Sequence, residues 1–204
     1  MQVHADLYRQ AIGLLWLAWV LYWLWSAART KTTARRESLT SRLSHVLPLL
    51  VGVWLIFLPG FFVRRRLPWL SGAFLPDSDA RLLIALLLVA AGLAYAVWAR
   101  VHLGANWSGS VTQKAQHELI RTGPYAQVRH PIYTGLLLAL TGSALACGEP
   151  RALLGLAIVV AAFVRKLRIE ERFMGELFPQ QYARYRAEVP ALVPFTGARR
   201  SAPR

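Results

Sequence analysis

LLIALLLVAAGLAYAVWA, Leu82 to Ala99, is a run of eighteen residues without a single charge. A helix on the surface of a soluble protein keeps one polar face. This stretch has none, and its length approaches that needed to cross about 30 Å of hydrocarbon. Two more apolar runs precede it. Leu7–Ala28 is rich in Leu, Trp and Ala, and Val46–Val63 contains Pro48, Pro59 and Gly60. The first lacks a basic leader, so it is expected to be a membrane helix rather than a cleaved signal. Two shorter runs follow, Ile132–Ala146 and Ala152–Val164, separated by the break CGEPR. Gly and Pro there predict a helical hairpin. The expected fold class is an all-α integral membrane protein with about five transmembrane helices. Residues 1–99 hold the first three. Residues 100–204 form the catalytic region: cofactor loops, the membrane hairpin 132–164 that supplies the last two spans, and a C-terminal amphipathic helix, with the cofactor-binding part cytosolic.

Composition agrees with that reading. The chain has 204 residues, is 55% hydrophobic, contains eight Trp and carries a formal charge of +14. A nucleic-acid binder would spread its cations over a water-exposed fold, whereas here they sit between apolar runs. No nucleic-acid partner is expected; membrane lipids are. The lone cysteine, Cys147, rules out an internal disulfide and a Cys-based zinc site, and reads as a small buried hydrophobe.

With five spans and the N-terminus outside, the inner segments 29–45, 100–131 and 165–204 hold 18 of the 24 Lys and Arg. Basic residues favour the cytoplasmic side, so this orientation is expected, with Arg64–Arg66 as the exception. It puts Arg100–His130 and the C-terminal tail on one side, where they can build one site.

Three clusters carry chemistry. TGPYAQVRHPIYTG, Thr122–Gly135, has a turn at Gly123–Pro124 and then Pro131, a residue suited to the first turn of a helix. That helix would present free N–H groups to a carboxylate or other anion. The plainer reading makes Arg129, His130 and Tyr133 interfacial anchors. RKLRIEERFMGELFPQQYARYRAEVPALVPF, Arg165–Phe195, carries Glu170 and Glu171 after a cationic membrane exit. Adjacent helical positions point about 100° apart, so both carboxylates are not expected to face one ligand squarely. One would bind a ligand and the other pair with an Arg. The plain alternative is i,i+4 pairing such as Lys166 with Glu170. Tyr182 and Tyr185 share a face and are expected against the membrane surface. LGANWSGSVTQKAQHEL, Leu103–Leu119, holds Asn106, Trp107, Ser108, His117 and Glu118 among glycines.

The order of the three clusters, LGANWSGSVT, HELIRTGPYAQVRHPIYTG and IEERFMGELFPQQYARYRAEVPALVPF, resembles the isoprenylcysteine carboxyl methyltransferase family across about residues 100–195. The RHPxYxG element with the downstream EE and YxxY…VP carries the likeness. The resemblance implies a multi-span helical enzyme that uses S-adenosylmethionine bound by cytosolic loops and the C-terminal helix region, with a lipophilic or lipidated substrate entering from the bilayer. It implies that His117, Glu118, Leu119, Ile120, Tyr125, His130, Pro131, Ile132, Tyr133 and Glu170 line the cofactor pocket, with Thr112 or Gln113 as a further contact. Lys166 falls where eukaryotic members carry a substrate-contacting arginine. Lys166 keeps that charge but loses the planar fork. Glu188 and Pro179 also depart from the pattern.

A carboxylate acceptor is ionised at neutral pH and needs no strong base. Lys166 or Arg129 would orient it. An amine or thiol acceptor would need a base, for which Glu171 or His130 would serve. No spacing of metal ligands is present, so no metal is expected. Two other classes stay open at this point: a sterol-reductase-like enzyme using a nicotinamide cofactor, and a non-catalytic membrane subunit.

Overall fold

Five side chains of one helix, Leu82, Ala85, Val89, Ala96 and Ala99, are fully buried, and the rest of the molecule packs around that helix or its neighbours. The computed structural model describes residues 2–27, 33–36, 38–65, 67–104, 112–114, 119–194 and 196; for 2, 3, 33–36, 61 and 112–114 it describes the backbone alone. Its helices are α1 (Gln2–Ala27), α2 (Leu39–Phe57), α3 (Gly60–Arg64), α4 (Asp79–Leu103), α5 (Pro131–Cys147), α6 (Pro150–Leu177) and α7 (Pro179–Glu188). Three of them, His4–Ala27 within α1, α2 and α4, are long and apolar enough to cross a membrane. Their outward faces carry large apolar side chains such as Leu14, Leu21, Leu50, Trp54 and Leu87, as a lipid-facing surface requires.

Sequence explains the helix ends. Ser38 and Ser78 are N-caps whose hydroxyls accept from the backbone N–H three residues on, each at 3.2 Å. Pro59–Gly60 ends α2, whereas Pro48 stays inside it. The expected second span therefore stops at Phe57, and the remainder of Val46–Val63 becomes α3. Gly148, at φ +66°, closes α5 in the left-handed conformation. The hairpin is present, but its second arm does not stop at Val164. RKLRIEERFMGEL is mostly good helix formers and has no proline, so α6 runs on through Gly175 to Leu177. Phe178 precedes Pro179 and is pushed out of the helical region, which starts α7 afresh.

One short strand pair accompanies the helices. Thr33–Arg36 (β1) and Thr112–Lys114 (β2) form a short antiparallel pair with Thr33 opposite Lys114 and Arg36 opposite Thr112. No apolar alternation in TARR or TQK announces it. It ties the connection after α1 to the connection after α4. Arg165 Nε donates to Ser44 Oγ at 2.6 Å at the same end. The opposite end has its own ties: Arg9 with Asp77 at 2.9 Å, Arg151 with Glu149 at 2.6 Å, and Phe74 N–H to the Gly148 carbonyl at 3.0 Å.

Helix crossings use glycine. A Cβ at Gly92 of α4 would stand 2.5 Å from the Gly135 carbonyl of α5, and one at Gly155 of α6 would stand 2.5 Å from the Gly52 carbonyl of α2. Small residues let backbones approach where apolar burial between helices gives little drive. Gly92→Ala is expected to lower stability by about 1–3 kcal/mol, as overpacking does. Gly13→Ala, where a Cβ meets nothing within 4 Å, is expected to be neutral. Thermal unfolding of the two variants side by side in detergent checks this.

Candidate active site

Two turns and a strap set the start of α5. Pro131 occupies the first helical position, where its missing N–H costs nothing, and His130 precedes it in a non-helical conformation. Gly123, at φ +59°, opens the TGPY turn; a Cβ there would meet the His102 ring at 2.7 Å. Residues 189–192 then run alongside the α5 start. Arg129 N–H donates to the Pro190 carbonyl at 2.8 Å, His130 N–H to Ala191 at 3.0 Å, and Thr134 Oγ1 to Leu192 at 2.7 Å. Tyr185 OH donates to the Tyr125 carbonyl at 2.6 Å.

The His130 ring lies between the two glutamates of α6. Its Nδ1 is 3.5 Å from Glu170 Oε2 and its Nε2 is 3.3 Å from Glu171 Oε1. Both adjacent carboxylates thus reach one group, contrary to the helical-angle expectation. They do so because the imidazole offers a nitrogen on each edge. The expected pairing of one glutamate with an Arg is present. Glu171 pairs with Arg129, through Nε at 2.9 Å and Nη2 at 2.6 Å. These two side chains are only 8% and 10% exposed. The Arg129 fork is completed by the carbonyls of Val189 and Arg186.

Glu170 has a different circle. Tyr133 OH donates to its Oε1 at 2.5 Å, and Lys166 Nζ stands 3.9 Å away, the i,i+4 pair foreseen from sequence. Lys166 also lies 5.3 Å from the Tyr133 ring centre, within reach of a cation–π contact. His130, Tyr133 and Phe163 form a stack, with centroids 5.5 and 4.9 Å apart. Phe163, Lys166 and Glu170 follow one face of α6, a periodicity visible in sequence once Glu170 is chosen.

The remaining residues fall into place unevenly. Tyr125, Ile132 and Ile120 pack in one cluster with Ala99. Leu119 packs with Tyr182, Tyr185 and Val189. Tyr182 and Tyr185 are therefore interior, 5% and 2% exposed, and not on a membrane surface. They join the tail to the TGPY turn. Glu188 pairs with Arg121. Thr112 and Gln113 lie on β2, described by backbone alone; His117 and Glu118, with Asn106, Trp107 and Ser108, lie outside the described residues. Thr134, Phe163 and Arg186 were not singled out from sequence. Thr134 had no signal beyond its place one turn after His130.

Electrostatics follow from this packing. Burial alone would lower the His130 pKa, but its hydrogen bonds to Glu170 and Glu171 and their charges outweigh burial and raise it. Both ring nitrogens face carboxylate oxygens, so the doubly protonated ring is the form that satisfies both. Burial would raise the Glu171 pKa; its bonds to His130 and Arg129 instead bring it from 4.5 down to about 2. Glu170 is lowered against its burial by His130, Lys166 and Tyr133. The signs give a two-limbed profile. The His130 contribution to stability is complete below 6.5 and lost as pH rises through its raised value. The Glu171 contribution is complete above 4.5 and lost as pH falls toward 2. Unfolding temperature against pH is expected to be highest between these limbs, with His130→Asn flattening the alkaline one.

These features define a class: a polytopic helical membrane protein with a carboxylate–imidazole–aromatic site at the ends of its helices. Residues 83–176 match the model of the Isoprenylcysteine carboxyl methyltransferase (ICMT) family. The likeness read from the motifs is thereby shown, with most of α4, all of α5, nearly all of α6 and every described site candidate from Leu119 to Glu171 inside the match. The match begins earlier than the motif resemblance and ends before α7, so the YxxY…VP tail lies beyond it. Protein-S-isoprenylcysteine O-methyltransferase B of Arabidopsis thaliana is 31% identical over 86 residues, 42% of this chain and 44% of that protein. Protein-S-isoprenylcysteine O-methyltransferase of Schizosaccharomyces pombe is 31% identical over 99 residues, 47% of this chain and 42% of that protein. The chain thus spans less than half the length of these relatives. A solved eukaryotic intramembrane Ras methyltransferase, isoprenylcysteine carboxyl methyltransferase, superposes with a TM-score of 0.51 at 25% identity over 74% of this chain and 53% of that one.

Proposed function

We propose that the chain is an S-adenosylmethionine-dependent membrane methyltransferase that esterifies the carboxylate of a lipophilic acceptor, of the kind an isoprenylated cysteine presents. The observation that carries this reading is the partly buried Glu170, its pKa lowered by its neighbours, set beside His130, Tyr133 and the first turn of α5.

The residues present fit the cofactor. A carboxylate kept ionised in a largely buried site suits a cationic ligand. The start of α5 suits the carboxylate of the same ligand. Glu170, His130, Pro131, Ile132 and Tyr133 would hold it from one side, Leu119, Ile120 and Tyr125 from the other, with Thr112 or Gln113 of β2, and His117 and Glu118, as further contacts. When bound, S-adenosylmethionine supplies an electrophilic methyl carried on a sulfonium.

The acceptor side follows from what the site has already committed. Glu171 is engaged by Arg129 and His130, and His130 by both carboxylates. Neither is free to take a proton from an amine or thiol. A carboxylate needs no proton removed, so the transfer proceeds with alignment and exclusion of water as the protein's main contributions. Lys166 sits between Glu170 and the Tyr133 face and is the cation to orient the acceptor. A single ammonium aligns a carboxylate without the bidentate grip that would blunt it. Arg129, locked by Glu171 and two carbonyls, is assigned a positioning role rather than contact with the acceptor. The five-span arrangement, with α5 and the first half of α6 as a membrane hairpin and the site on the cytoplasmic face, completes the reading.

Calorimetry of S-adenosylmethionine on the detergent-purified chain tests it. Micromolar binding is expected. A folded chain that binds no S-adenosylmethionine, with or without lipid, would contradict the reading.

A further inference from the structure

At the end of the bundle remote from the site, basic residues divide into two groups. Arg9 and Arg81 pair with Asp77, and Arg151 pairs with Glu149 and donates to the Leu55 carbonyl at 2.7 Å. Arg64 and Arg65 are exposed and have no acidic partner among the described residues. They belong to the connection between α2 and α4, which is not a loose loop. Val63, Leu70 and Ser71 are buried against the bundle, Ser71 Oγ donates to the Pro68 carbonyl at 3.1 Å, and Phe74 N–H is bonded to Gly148.

This pinned segment holds apolar side chains outward. Phe62 is 57% exposed, Trp69 68% and Phe74 48%, and Leu67 is exposed beside them. They sit where the apolar helices α2 and α4 end, so the water–hydrocarbon boundary passes close by. Aromatic rings and arginines together are the residue types that settle at that boundary, rings at headgroup depth and guanidinium groups on phosphate. Water as the only neighbour would leave the rings unburied and the two charges without counter-ions.

We infer that residues 60–65 and 67–74 form an interfacial foot, with Phe62, Leu67, Trp69 and Phe74 lodged among the lipids and Arg64 and Arg65 bound to anionic headgroup phosphates. The unpaired arginines thereby account for the departure from the usual charge bias: their counter-charge is the lipid surface. The partner is a bilayer bearing anionic lipid, and the surface is independent of the methyltransferase reading.

The full chain with Cys147→Ser and Trp69→Cys, labelled with an environment-sensitive fluorophore, is reconstituted into phosphatidylcholine vesicles with and without phosphatidylglycerol. Ala183→Cys, exposed on polar α7, is the aqueous reference. The label at 69 is expected to be shielded from iodide and quenched by shallow spin-labelled lipid. Iodide access at 69 equal to that at 183 in both vesicle types would overturn the foot. Native mass spectrometry with added phosphatidylglycerol reads the arginines separately. Wild type is expected to retain several-fold more anionic lipid than Arg64→Gln/Arg65→Gln; equal retention would overturn their assignment. Neither readout involves cofactor or methyl transfer, so failure here is distinguishable from failure of the proposed function.

Discussion

Glu170→Gln is expected to weaken S-adenosylmethionine binding by about 10- to 150-fold, the worth of a hydrogen bond to a charged group at about 1.5–3 kcal/mol. The substitution keeps shape and leaves an oxygen to accept from Tyr133, so the α5–α6 contact survives. It removes the negative charge that Lys166 and His130 share. Those two cations then face an incoming cation without compensation, and affinity falls while the fold holds. Calorimetry beside a thermal unfolding curve separates the effects. A variant that binds as wild type does would remove Glu170 from the cofactor site.

Arg129→Ala has the opposite signature. Removing one partner of a buried ion pair costs about 3–5 kcal/mol, because the other is left charged and unpaired. Here Glu171 would keep, among the described residues, His130 and the distant Arg186 Nε, 3.9 Å away, and the strap and α7 would each lose one tie. A fall in unfolding temperature of roughly 10 °C is expected. Replacing both members, as Arg129→Met/Glu171→Leu, is expected to recover much of that loss, since a well-packed apolar pair can match a buried salt bridge. A single variant no more harmful than the double one would contradict the positioning role of Arg129.

The helical membrane class was readable because apolar runs such as Leu82–Ala99 answer to composition and length, which no tertiary detail overrides. The Lys166–Glu170 pair was readable because it is local. What sequence could not supply is distance across the chain. Tyr182 and Tyr185 share a helical face, but only folding shows that the face meets Leu119 and the TGPY turn rather than lipid. His130 lies some forty residues from Glu170 and Glu171, so its place between them, and the strap bonded to Thr134, are tertiary facts. The β1–β2 pair was hidden for a related reason: its partners are nearly eighty residues apart, and TARR and TQK carry no apolar alternation.

The most direct measurement is transfer of labelled methyl from S-adenosylmethionine to a farnesylated cysteine derivative by the full chain reconstituted in vesicles, followed by alkaline hydrolysis of the product. Label released as methanol, and lost in Glu170→Gln, is the predicted result, because only a methyl ester is cleaved that way. Label that stays on the acceptor through alkali, as on an amine or thiol, or its absence from any lipophilic carboxylate when the folded chain binds S-adenosylmethionine, would contradict the assignment of a carboxyl methyltransferase.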